Sequence, residues 1–444
     1  MTQPRTRRAL VASTILALAV SPMALSAFGG LAVSAHAAGT TVHKYSLGAK
    51  ATLRTYHFAT GPEEVRVITL TQGGGLFDIA TAGSKFGTYQ KPSAIASNAY
   101  ETSTGRHPAL AGTNGDFATN GMSAHLEQVD GEIWSSALSS SPRFAINADG
   151  SHAWIGNSDL SMTATVNGTK VSIDHWNAGK PGQGQITAYT EIGGSSQKPP
   201  GTNSPTSTDP AYCAVRLLPT SAPHWSDANK SGITRSFKVD KLNTSPCPKT
   251  PMAVDPTSVV LASRDGGAGG SFLTSLTLSD SVNLTWRSLG WNGVIDSVGG
   301  TPILVNNGVN VGPDHGPNYI YNDNPRTAIG INAGCSDHDL TTLCKVYLVT
   351  VDGRRAGWSA GWKMNQLGAF FVHRLHAKYA LNMDGGGGTV MWAHKDPSKF
   401  APCIKSASAG CLVNKPSDGG GERVSVMALV GLPGDDIDIP QPLR

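Results

Sequence analysis

The sequence is poor in charge and, beyond its first residues, lacks long apolar runs. Charged residues make up 15% of the 444 residues, and the net charge is only +4. This small excess gives no basic stripe, which argues against a nucleic-acid partner. No later segment is apolar enough to span a bilayer, so we expect no membrane span in the mature protein. The cysteines lack the spacing of zinc knuckles, and we predict no metal site and no cofactor, with a divalent metal left open.

The N-terminus has the order of elements of an export signal. The basic stretch "RTRR" leads into "ALVASTILALAVSPMALSAF", and the small residues "SAHA" precede Ala38. We predict that residues 1–37 form a signal peptide that is cleaved near Ala37, and that the protein is secreted. Residues 6–10 also resemble a twin-arginine signal, so the twin-arginine and general export routes both stay open.

An even number of cysteines in an exported chain favours disulfide bonds. Sequential pairing closes three short loops and is our prediction. The predicted pairs are Cys213–Cys247, Cys335–Cys344 and Cys403–Cys411.

The first part of the chain is rich in predicted strands. Short alternating runs such as "EEVRVITL" are separated by glycine and asparagine turns from Thr40 to about Asp159. The polar stretch "GGSSQKPPGTNSPTSTDP" at 193–210 marks a surface insertion that the first cysteine pair holds.

The last third predicts a strand, a helix and a second strand. "KVYLVTV" (345–351) is a continuous apolar strand of the kind that is buried on both faces. "KMNQLGAFFVHRLHAK" (363–378) has the spacing of an amphipathic helix. The apolar positions that share its predicted face are Met364, Leu367, Phe371 and Leu375. "YALNM" (379–383) follows as another buried strand. This crossover predicts that the two strands are parallel.

Acidic and amide side chains follow three of the predicted strands. Asp352 ends the first strand of the crossover and Asp384 ends the second, which places both carboxylates at the edge where open α/β sheets bind ligands. In "PALAGTNGDF", Asn114 and Asp116 follow another short apolar run. The fold that we predict is α+β, with a mixed, partly parallel sheet, packed helices and a strand-rich N-terminal part.

The run Gly385–Gly388 allows three interpretations. Apolar strands on both sides argue against a linker. A structural turn with close backbone approach also needs glycine. We favour a ligand-facing turn whose backbone N–H groups converge on an anion such as phosphate.

Two further features have competing interpretations. "GWSAG" around Ser359, with Asp384 and His394 following, has the order of a serine esterase triad. However, the segment that begins "DGRRAG" separates this serine from the end of its strand. Arg326 in "NPRTAIGIN" is either a surface ion pair or a bidentate clamp for phosphate or carboxylate.

Several phrases in order resemble the phosphodiester glycosidase family. They are "AGTNGDF", "NPRTAIGIN", "VYLVTVDGRRAGWSAGWKMNQLGAF", "ALNMDGGGGTVMW" and "ERVSVMALVGL". The resemblance runs from about residue 60 to 432, with about 160–250 as an unmatched insertion, and implies one catalytic domain over 38–444. It also explains "GWSAG" as a turn into the helix. Two departures affect the substrate: Ala118 replaces a bulkier residue, and Gly388 replaces a serine.

The resemblance implies a secreted glycosidase that cleaves the bond between a sugar's anomeric carbon and a phosphodiester oxygen in an extracellular or cell-surface glycan. Asp384 is the leading carboxylate, with Asp352 or Asp116 as its acidic partner. The residues that we expect to bind the phosphate or the sugar are Asn114, Arg326, Arg354, Ser359, Gly385, Gly386 and Gly387. The alternatives are a serine esterase that uses Ser359 and a non-catalytic glycan-binding protein.

Overall fold

The computed structural model describes residues 40–48, 50–59, 61–102, 105–119, 121–136, 141–193, 211–225, 232–264, 266–336, 341–394, 403–407, 410–419 and 421–433. The predicted export signal at 1–37 and residues 194–210 of the polar stretch lie outside them. Within the described part of the chain, no helix has the length and apolar character needed to cross a membrane.

Strands are the commonest secondary structure in the described chain. In chain order they are β1 (Thr40–Gly48), β2 (Ala51–Phe58), β3 (Glu63–Thr71), β4 (Gly75–Thr81), β5 (Tyr100–Thr102), β6 (Gly105–His107), β7 (Ala111–Asn114), β8 (Ala118–Thr119), β9 (Met122–Ser123), β10 (Glu127–Val129), β11 (Glu132–Ser135), β12 (Arg143–Asn147), β13 (Ala153–Gly156), β14 (Leu160–Val166), β15 (Thr169–Ser172), β16 (His175–Trp176), β17 (Ile186–Tyr189), β18 (Tyr212–Pro219), β19 (His224–Trp225), β20 (Ile233–Asn243), β21 (Val259–Arg264), β22 (Ser281–Ser288), β23 (Val294–Gly299), β24 (Ile303–Asn306), β25 (Val309–Asn310), β26 (Arg326–Ile331), β27 (Lys345–Val351), β28 (Tyr379–Asn382), β29 (Met391–His394), β30 (Lys405–Ala407), β31 (Gly410–Leu412) and β32 (Met427–Pro433).

The helices are short. They are α1 (Pro92–Ala96), α2 (Ala268–Thr274), α3 (Asn318–Tyr321), α4 (Ala333–Ser336) and α5 (Met364–His373). At the start of α5, the Lys363 N–H donates to Gln366 Oε1 at 2.8 Å, which satisfies a backbone group that the helix leaves free. The predicted apolar positions are confirmed as buried, because all four lie in one cluster against strands β26, β27 and β28. The helix itself is shorter than the predicted 363–378, since α5 ends at His373 and Leu375 follows it.

The strands form four large sheets. Sheet A has the order β1-β2-β3-β27-β26-β28-β24-β25, and sheet B the order β30-β31-β29-β7-β32-β4. Sheet C has the order β11-β10-β23-β12-β13. Sheet D has the order β15-β14-β22-β20-β18-β21-β17-β16, with β19 paired to β20. Sheet D spans residues 160–288, which include most of the stretch that we predicted as an insertion.

The predicted α+β class with a partly parallel sheet is wrong. The protein is mostly β, with 48% strand and 11% helix. Strand β27, helix α5 and strand β28 do form the predicted crossover, but β26 lies between the two strands and pairs antiparallel with both. Strands β27 and β28 therefore run in the same direction but are not hydrogen-bonded to each other. Among the described strands, only the short pair β16 and β17 is parallel.

The core consists of several apolar clusters. The largest joins residues from sheets A, B and C, including Leu53, Ile79, Phe144 and Leu429. Helix α5 covers the other face of sheet A, and the strands of sheet D enclose a separate cluster that includes Phe237 and Leu284. Because β27 is buried on both faces, as predicted, the ends of β26, β27 and β28 are held by packing. These ends position the candidate site.

The three cysteine pairs are those that sequential pairing predicts. They are Cys213–Cys247, Cys335–Cys344 and Cys403–Cys411.

Candidate functional site

The glycine run connects two sheets. It follows β28 of sheet A and precedes β29 of sheet B, and Gly386–Gly388 form a single 3-10 turn. Side chains crowd this turn. A Cβ added at Gly388 would lie 2.7 Å from Asp384 Oδ2, and one at Gly387 would overlap the Asp418 carboxylate. Glycine is thus required here by close approach, and the linker interpretation is excluded.

Asn114 ties the end of β7 to Asp384. Its Nδ2 donates to the backbone O of Asp384 at 2.7 Å. Its Oδ1 accepts from Thr327 Oγ1 at 2.8 Å and from the Val390 N–H at 3.1 Å. The Asp384 N–H in turn donates to Gly115 O at 3.1 Å. Asn114 is buried, so the structure gives it the role of fixing the Asp384 backbone.

The Asp384 carboxyl is half-buried beside this turn. Burial is the main cause that raises its pKa, to about 6. The charge of Arg423 and a hydrogen bond from the Gly385 N–H lower this pKa, whereas the nearby Asp116 carboxylate raises it. Asp384 is therefore largely ionised at neutral pH but titrates closer to neutrality than an ordinary aspartate, as catalytic carboxyls often do.

Asp116 forms a pair with His125, a residue that we did not predict. Asp116 Oδ1 accepts from the Phe117 N–H and lies 2.7 Å from His125 Nδ1, and Oδ2 accepts from the His125 N–H at 2.9 Å. Burial raises the pKa of Asp116, and the His125 contacts oppose this effect. Burial lowers the pKa of His125, but the Asp116 hydrogen bond and charge outweigh it, so the net shift is upward.

A hairpin brings these two residues together. Strands β8 and β9 pair with each other, and the Ala124 N–H donates to Phe117 O at 2.8 Å. The sequence between these strands contains Asn120-Gly121. An Asn-Gly pair is a strong hairpin signal, so the sequence held the information needed to place Asp116 opposite His125.

Two exposed arginines lie near the glycine turn. Arg354 Nε and Nη2 donate to Asn324 Oδ1 at 3.1 and 3.0 Å, and a Cβ added at Gly386 would lie 3.3 Å from Arg354 Nη2. Arg423 is close enough to Asp384 for its charge to lower the pKa of that carboxyl, and its Nη1 lies 4.0 Å from Asp418 Oδ2. Arg354 was predicted, whereas Arg423 was not, because it lies 39 residues beyond Asp384 in the chain.

Arg326 does not face this site. It is 4% exposed, and Nε, Nη1 and Nη2 donate to four backbone carbonyls. These belong to Trp362 (2.8 Å), Tyr319 (2.7 Å), Ile320 (3.1 Å) and Asn322 (2.9 Å). Burial is the main cause that lowers its pKa, to about 10. The guanidinium thus holds the chain before β26, which differs from the predicted phosphate clamp.

Asp352 and Ser359 are also held inside the protein. Asp352 is 1% exposed and accepts from Asn414 Nδ2 at 2.9 Å, Trp358 Nε1 at 2.8 Å and the Lys415 N–H at 3.0 Å. Ser359 is fully buried, and its Oγ lies 2.6 Å from Asp352 O and 3.0 Å from Glu63 Oε2. These contacts give both residues structural roles.

The backbone N–H groups of the glycine run are partly used. The Gly386 N–H donates to Pro325 O at 2.9 Å and the Gly388 N–H to Gly385 O at 3.1 Å. With the Gly385 N–H on the Asp384 carboxylate, little of the predicted nest is left to bind an anion. The arginines are therefore the stronger anion-binding groups at this turn.

The chain is similar to several proteins of known structure. One is a hypothetical protein from Synechocystis, with 17% identity and a TM-score of 0.60, over 88% of this chain and 63% of that chain. Another, from Burkholderia pseudomallei, has 17% identity and a TM-score of 0.57, over 89% of this chain and 97% of that chain. These two likenesses show a shared fold. This chain spans 63% of the length of the Synechocystis chain.

The catalytic domain of zebrafish N-acetylglucosamine-1-phosphodiester α-N-acetylglucosaminidase is also similar, with 10% identity and a TM-score of 0.37, over 88% of this chain and 82% of that chain. None of the curated proteins matches the chain. The model of the phosphodiester glycosidase family matches residues 235–431, which carry Arg354, Asp384 and Arg423. The resemblance seen in the sequence is thus confirmed over residues 235–431, where this chain is similar to the phosphodiester glycosidases.

Proposed function

We propose that this protein is a secreted hydrolase that cleaves the bond between a sugar's anomeric carbon and a phosphodiester oxygen in an extracellular or cell-surface glycan. One observation carries the proposal most directly: within the segment that matches the family, a half-buried Asp384 carboxyl with a pKa near 6 precedes a glycine turn that Arg354 contacts, and the charge of Arg423 acts on that carboxyl. Carboxylates and cations are the groups that this reaction needs.

The chemistry follows from the charges that develop. When the bond between the anomeric carbon and oxygen breaks, the sugar becomes positively charged and the leaving phosphate becomes more negative. A carboxylate at Asp384 stabilises the cationic sugar or activates water. Arg354 and Arg423 bind the phosphate oxygens, since guanidinium groups pair well with phosphate.

Export is supported by two features. The first 37 residues have the composition of a signal peptide, and three disulfides are typical of proteins from oxidising compartments. The serine esterase alternative has less support, because Ser359 Oγ is buried against Asp352 and Glu63.

The test is hydrolysis of a panel of sugar-1-phosphodiesters by the mature protein in water labelled with ¹⁸O. We expect a released sugar and an unlabelled phosphomonoester, which shows that the carbon–oxygen bond breaks. An alkyl glycoside of the same sugar, which has no phosphate, serves as the control and should stay intact. The variant with both Arg354→Gln and Arg423→Gln should show a raised KM.

Three outcomes contradict the proposal. Label in the phosphate means that the phosphorus–oxygen bond breaks, so the protein is a phosphodiesterase. Binding of the whole panel without release of any sugar identifies a glycan-binding protein. Ester hydrolysis that is lost in Ser359→Ala with normal folding identifies a serine esterase.

A further inference from the structure

We propose that His125 is the acid–base residue of this reaction and that Asp116 is its positioning residue, in place of a second catalytic carboxylate. The inference rests on the proposed function. It adds a residue outside the segment that matches the family, and assigns Asp116 a role different from the one that its sequence suggests.

Asp116 has no oxygen to offer a substrate. It is 1% exposed, and its two oxygens already receive the N–H groups of Phe117 and His125 and face the His125 ring. A carboxylate in this arrangement does not touch a reacting atom. It fixes the orientation and tautomer of the imidazole and stabilises the positive charge that forms when the ring takes a proton.

The ring of His125 is oriented so that Nε2 can accept a proton. Because Nδ1 faces Asp116, Nε2 is the nitrogen on the far side, and the side chain is 17% exposed. When Nδ1 donates its proton to the carboxylate, Nε2 carries the lone pair of the neutral ring. The Phe117 ring packs against the imidazole edge to face, with centroids 6.1 Å apart, and restricts its rotation.

Two separate contacts link the segment that carries His125 to the chain around Asp384. First, the Asp384 N–H donates to Gly115 O, and Gly115 directly precedes Asp116. Second, the backbone next to His125 pairs with β23, where the Gly299 N–H donates to Leu126 O at 2.8 Å.

The second contact, through β23, leads on to the residues that precede Asp384. A Cβ added at Gly299 would overlap His125 Cβ, and one at Gly300 would lie 2.5 Å from Asn382 O, two residues before Asp384. The two contacts approach Asp384 from different strands, which leaves His125 and Asp384 on the same end of the sheets.

Glu127 is a second buried carboxyl close to the Asp116–His125 pair. Burial raises the pKa of Glu127 to about 8, helped by the Asp116 charge and opposed by a hydrogen bond with Ser123. Glu127 is therefore protonated at neutral pH. Asp116 is then the carboxyl group in contact with the His125 ring, at 2.7 Å from Nδ1, so a positive charge formed on the ring lies against an Asp116 oxygen.

The step balances as follows. The oxygen of a water molecule bonds to the anomeric carbon, and one proton of that water moves to His125 Nε2. The bond from the anomeric carbon to the phosphodiester oxygen breaks, and its electron pair stays on that oxygen, which gives a phosphomonoester dianion. The imidazolium then gives its proton to the phosphate or to solvent. Asp384 stabilises the positive charge on the sugar during the transfer.

The experiment measures kcat and KM of His125→Ala with an active sugar-1-phosphodiester. A positioned acid or base contributes at least about a hundredfold, so we expect kcat to fall by that factor with little change in KM. Free imidazole should restore part of the lost kcat in His125→Ala and none in Asp384→Asn. Asp116→Asn should lower kcat and leave KM unchanged. His43→Ala, an exposed histidine on β1, is the matched control and should keep full activity.

Folding is checked by thermal melting, and His125→Asn is the second variant, because its side-chain amide retains a donor for Asp116. Normal kcat in folded His125→Ala or His125→Asn overturns the assignment. So does a loss of kcat that imidazole does not restore, since that result indicates a structural role. If the wild-type protein itself releases no sugar, the proposed function fails along with the inference. If the wild type and the His125 variants are equally active, the inference about His125 fails but the proposed function stands.

Discussion

The Asn114 side chain holds the backbone of Asp384 through a 2.7 Å hydrogen bond, although 270 residues separate the two in the chain. Because Asn114 ends β7 of sheet B and Asp384 follows β28 of sheet A, this bond joins the two sheets at the candidate site. The position of the leading carboxylate therefore depends on a buried amide whose partners Asp384, Thr327 and Val390 all lie far from it in the sequence.

Replacing Asn114 should disturb both the fold and the site. Asn114→Ala leaves the Asp384 carbonyl, the Thr327 hydroxyl and the Val390 N–H without their partner. We expect a loss of about 2 to 4 kcal/mol in the free energy of unfolding, since buried unpaired groups are costly. Denaturant unfolding measures this. Asn306→Ala, at an exposed position in β24, should have little effect, and equal stability of both variants would contradict the role given to Asn114.

Gly388 should tolerate no side chain. The Cβ of Gly388→Ala would lie 2.7 Å from Asp384 Oδ2, so the carboxylate has to move. We expect kcat on a sugar-1-phosphodiester to fall by about tenfold or more, because small displacements of a catalytic group are costly. Gly421→Ala is the matched control, since its Cβ meets only Lys405 Nζ at 3.8 Å. Equal kcat in the two variants would show that Asp384 has room to adjust.

Arg326→Lys should reduce stability rather than substrate binding. A lysine keeps the charge but does not reach the four carbonyls that the guanidinium satisfies. We expect a loss of about 2 to 4 kcal/mol in unfolding free energy and an unchanged KM below the melting range. A raised KM at normal stability would instead support the phosphate clamp that the sequence suggested.

Part of this architecture could be predicted from the sequence because its causes are local. The apolar spacing of 364–375 determines which face of α5 is buried, and the run 345–351 reads as a fully buried strand. Asp352 and Asp384 do follow strands that run in the same direction. The Asn120-Gly121 pair in the sequence was a further local signal, since Asp116 and His125 on either side of it are in contact.

The rest depends on contacts between distant segments. Nothing near 345–382 indicates that β26 inserts between β27 and β28, and this insertion turns an expected parallel sheet into an antiparallel one. Arg326 resembles a ligand clamp until the chain at 319–322 brings its carbonyls to the guanidinium. Arg423 comes close to Asp384 because the segment between β31 and β32 of sheet B returns to the glycine turn.

Asp384→Asn should separate function from stability. The variant keeps the shape of the side chain but removes the charge that stabilises the sugar cation, so kcat should fall by at least about a hundredfold. In the wild-type protein, activity should decrease as pH falls through about 6, where the Asp384 carboxylate gains its proton, and the upward-shifted pKa of His125 should start this decrease at higher pH. A pH profile of kcat/KM and a comparison with Asp352→Asn, which loses a structural carboxylate, measure these effects.

Whereas kcat of Asp384→Asn should fall, the stability of this variant at neutral pH should rise above that of the wild type. Folding raises the pKa of Asp384 from an ordinary value of 3.8 to about 6, so the folded state binds this proton more tightly than the unfolded state. Ionisation of Asp384 therefore opposes folding: the wild type loses stability as pH rises from about 4 to about 6, and the loss is complete above that range. Asp384→Asn has no such loss and should be more stable than wild type at pH 7, on the order of 1 kcal/mol. Below about pH 4 the two proteins should unfold alike. If Asp384→Asn is instead less stable at pH 7 and retains its activity, the carboxylate is a structural cap of the turn and has no part in catalysis.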